Sequence, residues 1–212
     1  FTSSLDPICI LSSLSWKEGE KKRLRKKEIK KGEHLYRCGD TITHLMALRT
    51  GTVKIYDING NIINVKTPGQ VIGTEDLHAP TYRYQAVAAT DIQLCLLERS
   101  RIYDLSQITE NFINYVTDIL SFEIAEQQKM IAVLVSPDTQ AKVREFLKLI
   151  AQRYAWYGFS ASNIPLPVTF KEMAMLLGVS ISSLNRALTE LKERGEIVVE
   201  KKEIEIRCLK HP

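Results

Sequence analysis

The sequence predicts an α+β chain: a β-rich first part, then one long helix, then a short helical segment that closes in a hairpin. Three observations carry this reading. Residues 32–98 hold short apolar stretches punctuated by glycines, and from about Leu105 the apolar residues recur at three- and four-residue steps. Beyond Pro137, helical patterns flank a tight glycine turn and give way to an alternating tail. The expected segments are 1–105, 106–136 and 137–212.

Composition limits the options further. Of 212 residues 44% are hydrophobic, enough to bury a real core, which excludes a disordered chain or a disulfide-stapled miniprotein. Lys plus Arg number 29 against 25 Asp plus Glu, and the net charge of +4 permits a polyanionic partner without demanding one. No apolar run approaches the ~18 residues of a membrane span, so a soluble chain with no membrane partner is expected. It begins at Phe1 rather than Met, without the charged and apolar pattern of a signal peptide, and further residues upstream are expected. Cys9, Cys38, Cys95 and Cys208 are scattered singly with no CxxC pair, which argues against a zinc motif or a secreted framework and for a reducing cytoplasm.

The basic run between Lys17 and Lys31 (Lys21, Lys22, Arg23, Arg25, Lys26, Lys27) reads as a solvated helix leading into a strand, with nucleic-acid contact the alternative. Gly32, Gly39, Gly51, Gly60, Gly69 and Gly73 then space short strands, and Val53, Ile55 and Ile62, Val65 flank the dipeptide Asn59-Gly60. Asn-Gly between apolar runs is a strong hairpin signal, and the regular spacing suggests a small barrel or sandwich rather than βαβ units. In the long helix, Ile113, Val116, Leu120, Ile124, Ile131 and Leu134 form one stripe, with Gln127 in its seven-residue gap. Ser106 to Ser136 contains neither Gly nor Pro, and so straight a helix cannot hide its own stripe. A partner helix is the expected cover, and the surface of its own domain is the alternative.

Thr169 with Glu172 is a capping box that starts a helix, Met173, Ala174, Leu176 and Leu177 point inward, and Gly178 ends it. Ser180 then caps a second helix. There Ile181, Leu184, Leu188 and Leu191 form the docking stripe, leaving Ser182, Asn185, Arg186 and Thr189, with Ser183 beside them, on the other side. This is helix-turn-helix spacing. Arg can take both acceptors of a guanine edge, Asn can pair bidentately with adenine, and Ser or Thr can serve bases or phosphates. A merely solvated polar face is the alternative. The tail Ile197, Val198, Val199 and Ile204, Ile206 reads as a hairpin whose tip, Lys201 and Lys202, would contact phosphates, while Gly158 to Pro167 reads as a loop.

Over nearly its whole length the chain resembles the CRP/FNR family of bacterial transcription regulators. The resemblance rests on Lys31-Gly32-Glu33, Gly39-Asp40, the stretch Leu48 to Tyr56, Pro68-Gly69-Gln70-Val71-Ile72-Gly73, and the helix-turn-helix. It implies a cyclic-nucleotide-binding-type β-roll, a dimerisation helix and a winged helix-turn-helix. Ser121 to Leu134 and Arg153 to Ser160 are similar to the FNR branch. Nucleotide-binding members carry Gly-Glu-Leu and Arg-Ser/Thr-Ala, where this chain has Gly73-Thr74-Glu75 and Arg83-Tyr84-Gln85, so the phosphate cassette is broken and Arg83 reads as a surface residue. Cys9 and Cys95 resemble two ligands of the FNR iron–sulfur cluster, but Ser3 stands where the family's preceding ligand falls, so the family's cluster is not expected. Cys95 reads as a small buried hydrophobe, with a thiol switch to Cys9 as the alternative. His78, where some haem-containing members place a ligand, reads as a surface residue.

No residue set suggests catalysis or a metal cage. The expected protein is a homodimer that binds a palindromic site on double-stranded DNA and, by family resemblance, meets RNA polymerase, with no cofactor. The rival is a signalling module whose cyclic-nucleotide, thiol or haem effector sits in the β-roll.

Overall fold

A computed structural model describes residues 25–100, 110–156, 164–166, 168–200 and 203–206. The chain divides into two compact units, Phe1–Glu123 and Ile124–Pro212, and the border falls inside the long helix.

Among the described residues of the first unit, eight strands form two antiparallel sheets. They are β1 (Arg25–Ile29), β2 (His34–Tyr36), β3 (His44–Thr50), β4 (Val53–Tyr56), β5 (Ile62–Lys66), β6 (Val71–Ile72), β7 (Gln85–Ala88) and β8 (Ile92–Glu98). One sheet runs β1-β8-β3-β6 and the other β2-β7-β4-β5. Ile29, Met46, Leu48, Ile72, Ile92 and Leu94 from the first join Tyr36, Val53, Ile55, Ala86 and Ala88 from the second in one core. The β4–β5 hairpin forms at Asn59-Gly60 as expected. Gly60 takes φ +80°, and Asp57 Oδ1 accepts from the backbone N–H groups of Asn59 and Asn61, each at 2.8 Å. Gly51 is required for a second reason besides its φ of +82°: a Cβ there would stand 2.3 Å from the carbonyl oxygen of Asp91.

The basic run contributes β1 at a sheet edge, with Lys26 and Lys27 exposed; residues 17–24 lie outside the described residues. Cys95 in β8 is buried, as the sequence suggests. Its cross-strand partners are Ala47 and Lys26, and it lies on the face opposite Leu94 and Leu48, in a small apolar cluster with Ala47. Cys9 and Ser3 lie outside the described residues.

Helix α1 spans Glu110–Val135, 26 residues. Its backbone matches the sequence pattern, and the side chains of Ile113 and Val116 lie outside the described residues. Leu120, Ile124, Ile131 and Leu134 are exposed, Ile124 by 60%, and Gln127 is exposed among them. The stripe turned inward is a different one, half-buried Phe122 and Met130 with buried Glu123, Glu126 and Val133.

The second unit holds α2 (Thr139–Trp156), β9 (Ile164–Pro165), α3 (Phe170–Leu177), α4 (Ile181–Glu193), β10 (Ile197–Glu200) and β11 (Glu203–Ile206). Strand β9 lies where the sequence suggests only loop. Two residues carry no period, and the strand exists through pairing with β11, Ile164 opposite Ile204. The three strands form one antiparallel sheet, β10-β11-β9.

Candidate nucleic-acid interface

Helix α3 begins at Thr169 with both halves of the capping box. The Glu172 N–H donates to Thr169 Oγ1 at 3.2 Å, and the Thr169 N–H donates to Glu172 Oε2 at 2.8 Å. It ends at Gly178, in the left-handed region at φ +63°, where the Val179 N–H donates back to the Ala174 carbonyl at 3.0 Å. Ser180 Oγ then accepts from the Ser183 N–H at 3.1 Å and starts α4. The turn between the helices is thus hydrogen-bonded by its own backbone and by the Ser180 side chain.

Met173, Leu177, Leu184 and Leu191 are fully buried, and Leu188 nearly so. Ile181, expected from its apolar period to dock with this stripe, is instead 46% exposed. As the first residue of the helix it lies ahead of the turn that packs. Ala187, whose small side chain carries little periodic signal in the sequence, is buried and completes the docking face.

The opposite face presents Ser182, Asn185, Arg186 and Thr189, all exposed. Asn185 and Arg186 can offer the paired donors and acceptors that purine edges demand. Thr189 Oγ1 donates to the Asn185 carbonyl at 2.9 Å, so its hydroxyl is partly committed to its own helix. Ser183 is half-buried and belongs to the cap, since its Oγ lies 2.8 Å from Ser180 Oγ, which leaves it the weakest of the expected contacts. Ser182 Oγ lies 2.9 Å from the same Ser180 oxygen at the exposed helix start. Lys201 and Lys202 lie outside the described residues.

Behind the interface, Arg144 of α2 grips Glu196, just before β10, with Nε and a terminal nitrogen at 2.6 and 2.9 Å. The hydrogen bond from Arg144 holds the Glu196 carboxyl below its ordinary range. With the folded pKa lowered, the pair's contribution is present above the ordinary Glu pKa and fades as pH falls through the folded value. This ties the hairpin to α2.

In the first unit, Arg83 is exposed but not idle. Its Nε lies 2.5 Å from Oδ1 of Asp76, which is fully buried; its backbone N–H donates to Asp76 Oδ2 at 3.0 Å; and a terminal nitrogen donates to the Glu75 carbonyl at 3.1 Å. Asp76 is invisible to a sequence reading of Arg83, because its burial depends on the short 3-10 turn Thr74–Asp76. Tyr36 and Tyr82 stack beside this turn with ring centroids 3.6 Å apart, and Tyr82 donates to the His44 carbonyl at 3.2 Å. Burial pushes the Tyr82 hydroxyl up to about 12. His78 is exposed. Among the described residues, no group of three His, Cys, Asp or Glu could hold a metal ion, and no helix is long and apolar enough to cross a membrane.

Residues 26–108 match the cyclic nucleotide-binding domain, and residues 141–210 match the Crp-like helix-turn-helix domain. A β-rich domain of that type followed by such a helix-turn-helix defines a DNA-binding transcription regulator. Electron transport regulator A of Shewanella oneidensis is 30% identical over 85% of this chain and 74% of its own length. Transcriptional activator protein anr of Pseudomonas aeruginosa is 27% identical over 96% of this chain and 86% of its own. The chain belongs to the CRP/FNR family of transcription regulators. Its fold is similar to that of FixK2 from Bradyrhizobium japonicum, with a TM-score of 0.75 at 22% identity over 86% of this chain and 92% of that one.

Proposed function

We propose that this regulator works in the cytoplasm as a homodimer on a palindromic DNA site, without cyclic nucleotide and without an FNR-type iron–sulfur cluster, and meets RNA polymerase as its family does. The observation that carries the DNA reading is the exposed face Ser182, Asn185 and Arg186 on a helix whose other side is locked into the unit. Lys201 and Lys202, which the sequence places between β10 and β11, are the proposed phosphate contacts. Selection of sites from random duplex, followed by binding at several salt concentrations, tests it. A palindromic site and a steep salt slope are expected, since neutralising phosphates releases counterions.

Independence from nucleotide is supported by Arg83. A ligand phosphate would have to displace the carboxylate of Asp76 and leave it buried without its cation, which is costly. Calorimetry with cyclic AMP and cyclic GMP is expected to register no binding at micromolar concentrations; binding there would contradict this reading. The donor set argues likewise against the cluster, because Ser3 stands where a thiolate is needed.

The homodimer is inferred from the exposed stripe Leu120, Ile124, Ile131 and Leu134, continued by Ile113 and Val116, a seam of coiled-coil type along the 106–136 segment. Gln127 sits in this seam, where two amides can hydrogen-bond across a two-fold axis and two carboxylates would repel. The unmodified chain, without iron and in air, is expected to sediment as a dimer at micromolar concentration. Gln127→Asp should raise its dissociation constant roughly tenfold or more, and an unchanged value would refute the assignment of the seam.

A further inference from the structure

The inward face of α1 carries two carboxylates where an apolar stripe is the ordinary means of attachment. Glu123 Oε2 accepts from Lys66 Nζ at 2.6 Å, and Lys66 is only 1% exposed. Lys66 ends β5, directly opposite Val53, a fully buried core residue, so a lysine occupies a place where the sheet would accept an apolar side chain. Three residues further along α1, in the other unit, Glu126 accepts from Arg153 Nε of α2 at 2.5 Å and from Lys129 Nζ at 3.0 Å, and both Glu126 and Arg153 are buried. In each unit a buried ion pair thus joins the inward apolar groups in holding α1 to a neighbouring element.

Adhesion does not explain this choice. Buried ion pairs lose hydration on folding, and apolar replacements of similar volume are often as stable or more so. What an ion pair adds is direction. A Leu can slide over an apolar surface at little cost, whereas turning α1 by one residue would carry Glu123 away from Lys66 and leave two buried charges unpaired. At 3.6 residues per turn, the seam of Leu120, Ile124, Gln127, Ile131 and Leu134 lies roughly 60° round the helix from Glu123. The angle of the one fixes the aim of the other.

We propose that Lys66 and Glu123 are positioning residues for dimerisation: their ion pair sets the rotation of the first-unit part of α1 against β5, and with it the direction in which the seam that starts at Leu120 and continues along the same helix meets a second copy of the chain. The pair Glu126–Arg153 does the same for the helical unit. This rests on the homodimer reading above, and the experiment separates the two.

The full-length chain is compared with Lys66→Met/Glu123→Leu, which removes both charges and orphans neither, and with the reversed pair Lys66→Glu/Glu123→Lys. Thermal unfolding and the sedimentation dissociation constant are measured for each. The apolar double variant is expected to unfold within a few degrees of the parent, or higher, while its dissociation constant rises about tenfold or more; the reversed pair should dimerise more tightly than the apolar one. A folded apolar variant that dimerises as the parent does overturns the proposal. Should that variant not fold, a folded reversed pair decides: dimerisation near the parent's supports the proposal and a monomer overturns it. A monomeric parent overturns the homodimer reading itself.

Discussion

Arg186→Ala is expected to weaken binding to the selected site by ~1–3 kcal/mol and to relax preference at one base pair of each half-site. Arg186 is exposed beside Asn185, one turn into α4, and neither group is needed to hold the helix in place. The guanidinium can span two acceptors of one base edge, and alanine leaves both without a protein donor. Fluorescence anisotropy on the selected duplex and on a scrambled one checks this. An equal loss on both duplexes would assign Arg186 to a phosphate instead. In the FNR pattern that the chain resembles, a Glu falls where Ser182 stands here, so the selected half-site should differ from the FNR one at the base pair that residue 182 faces.

The second large effect concerns the scaffold beneath that arginine. Leu184→Ala should destabilise the helical unit by ~2–5 kcal/mol, the usual cost of the lost transfer energy and the cavity left in a close-packed core. Leu184 is fully buried, and it follows the Ser180 cap by one helical turn, so the loss falls where α4 is held against the rest of the unit. Thermal unfolding followed by circular dichroism should report an earlier transition. Specific binding should fall with it, although no group that faces DNA has been changed.

The parts of the site legible in the sequence are those determined by neighbours a few residues away. The Thr169–Glu172 capping box, Gly178, the Ser180 cap and the Asn59-Gly60 hairpin each depend on a local backbone requirement that few residue types meet. The 26 residues of α1 are legible because Gly and Pro are absent and an apolar period is present. What escaped depends on distant partners. Ile181 fits the apolar period but precedes the packed turn, and β9 exists only through Ile204. The acidic groups on the inner side of α1 look like solvated charge until Lys66 and Arg153 are placed beside them, 57 and 27 residues away in sequence. Arg83 likewise acquires its meaning from Asp76, whose burial no periodicity announces.

Dimeric, sequence-specific DNA binding is the property from which the other expected results follow. The most direct measurement is a titration of a duplex recovered by selection from random sequence, with stoichiometry and salt dependence read in the same series, without added nucleotide or iron. Two chains per palindromic duplex are expected, with affinity at least ~1,000-fold above that for scrambled DNA and falling steeply with salt. Equal affinity for the two duplexes, or one chain bound per site, would contradict it.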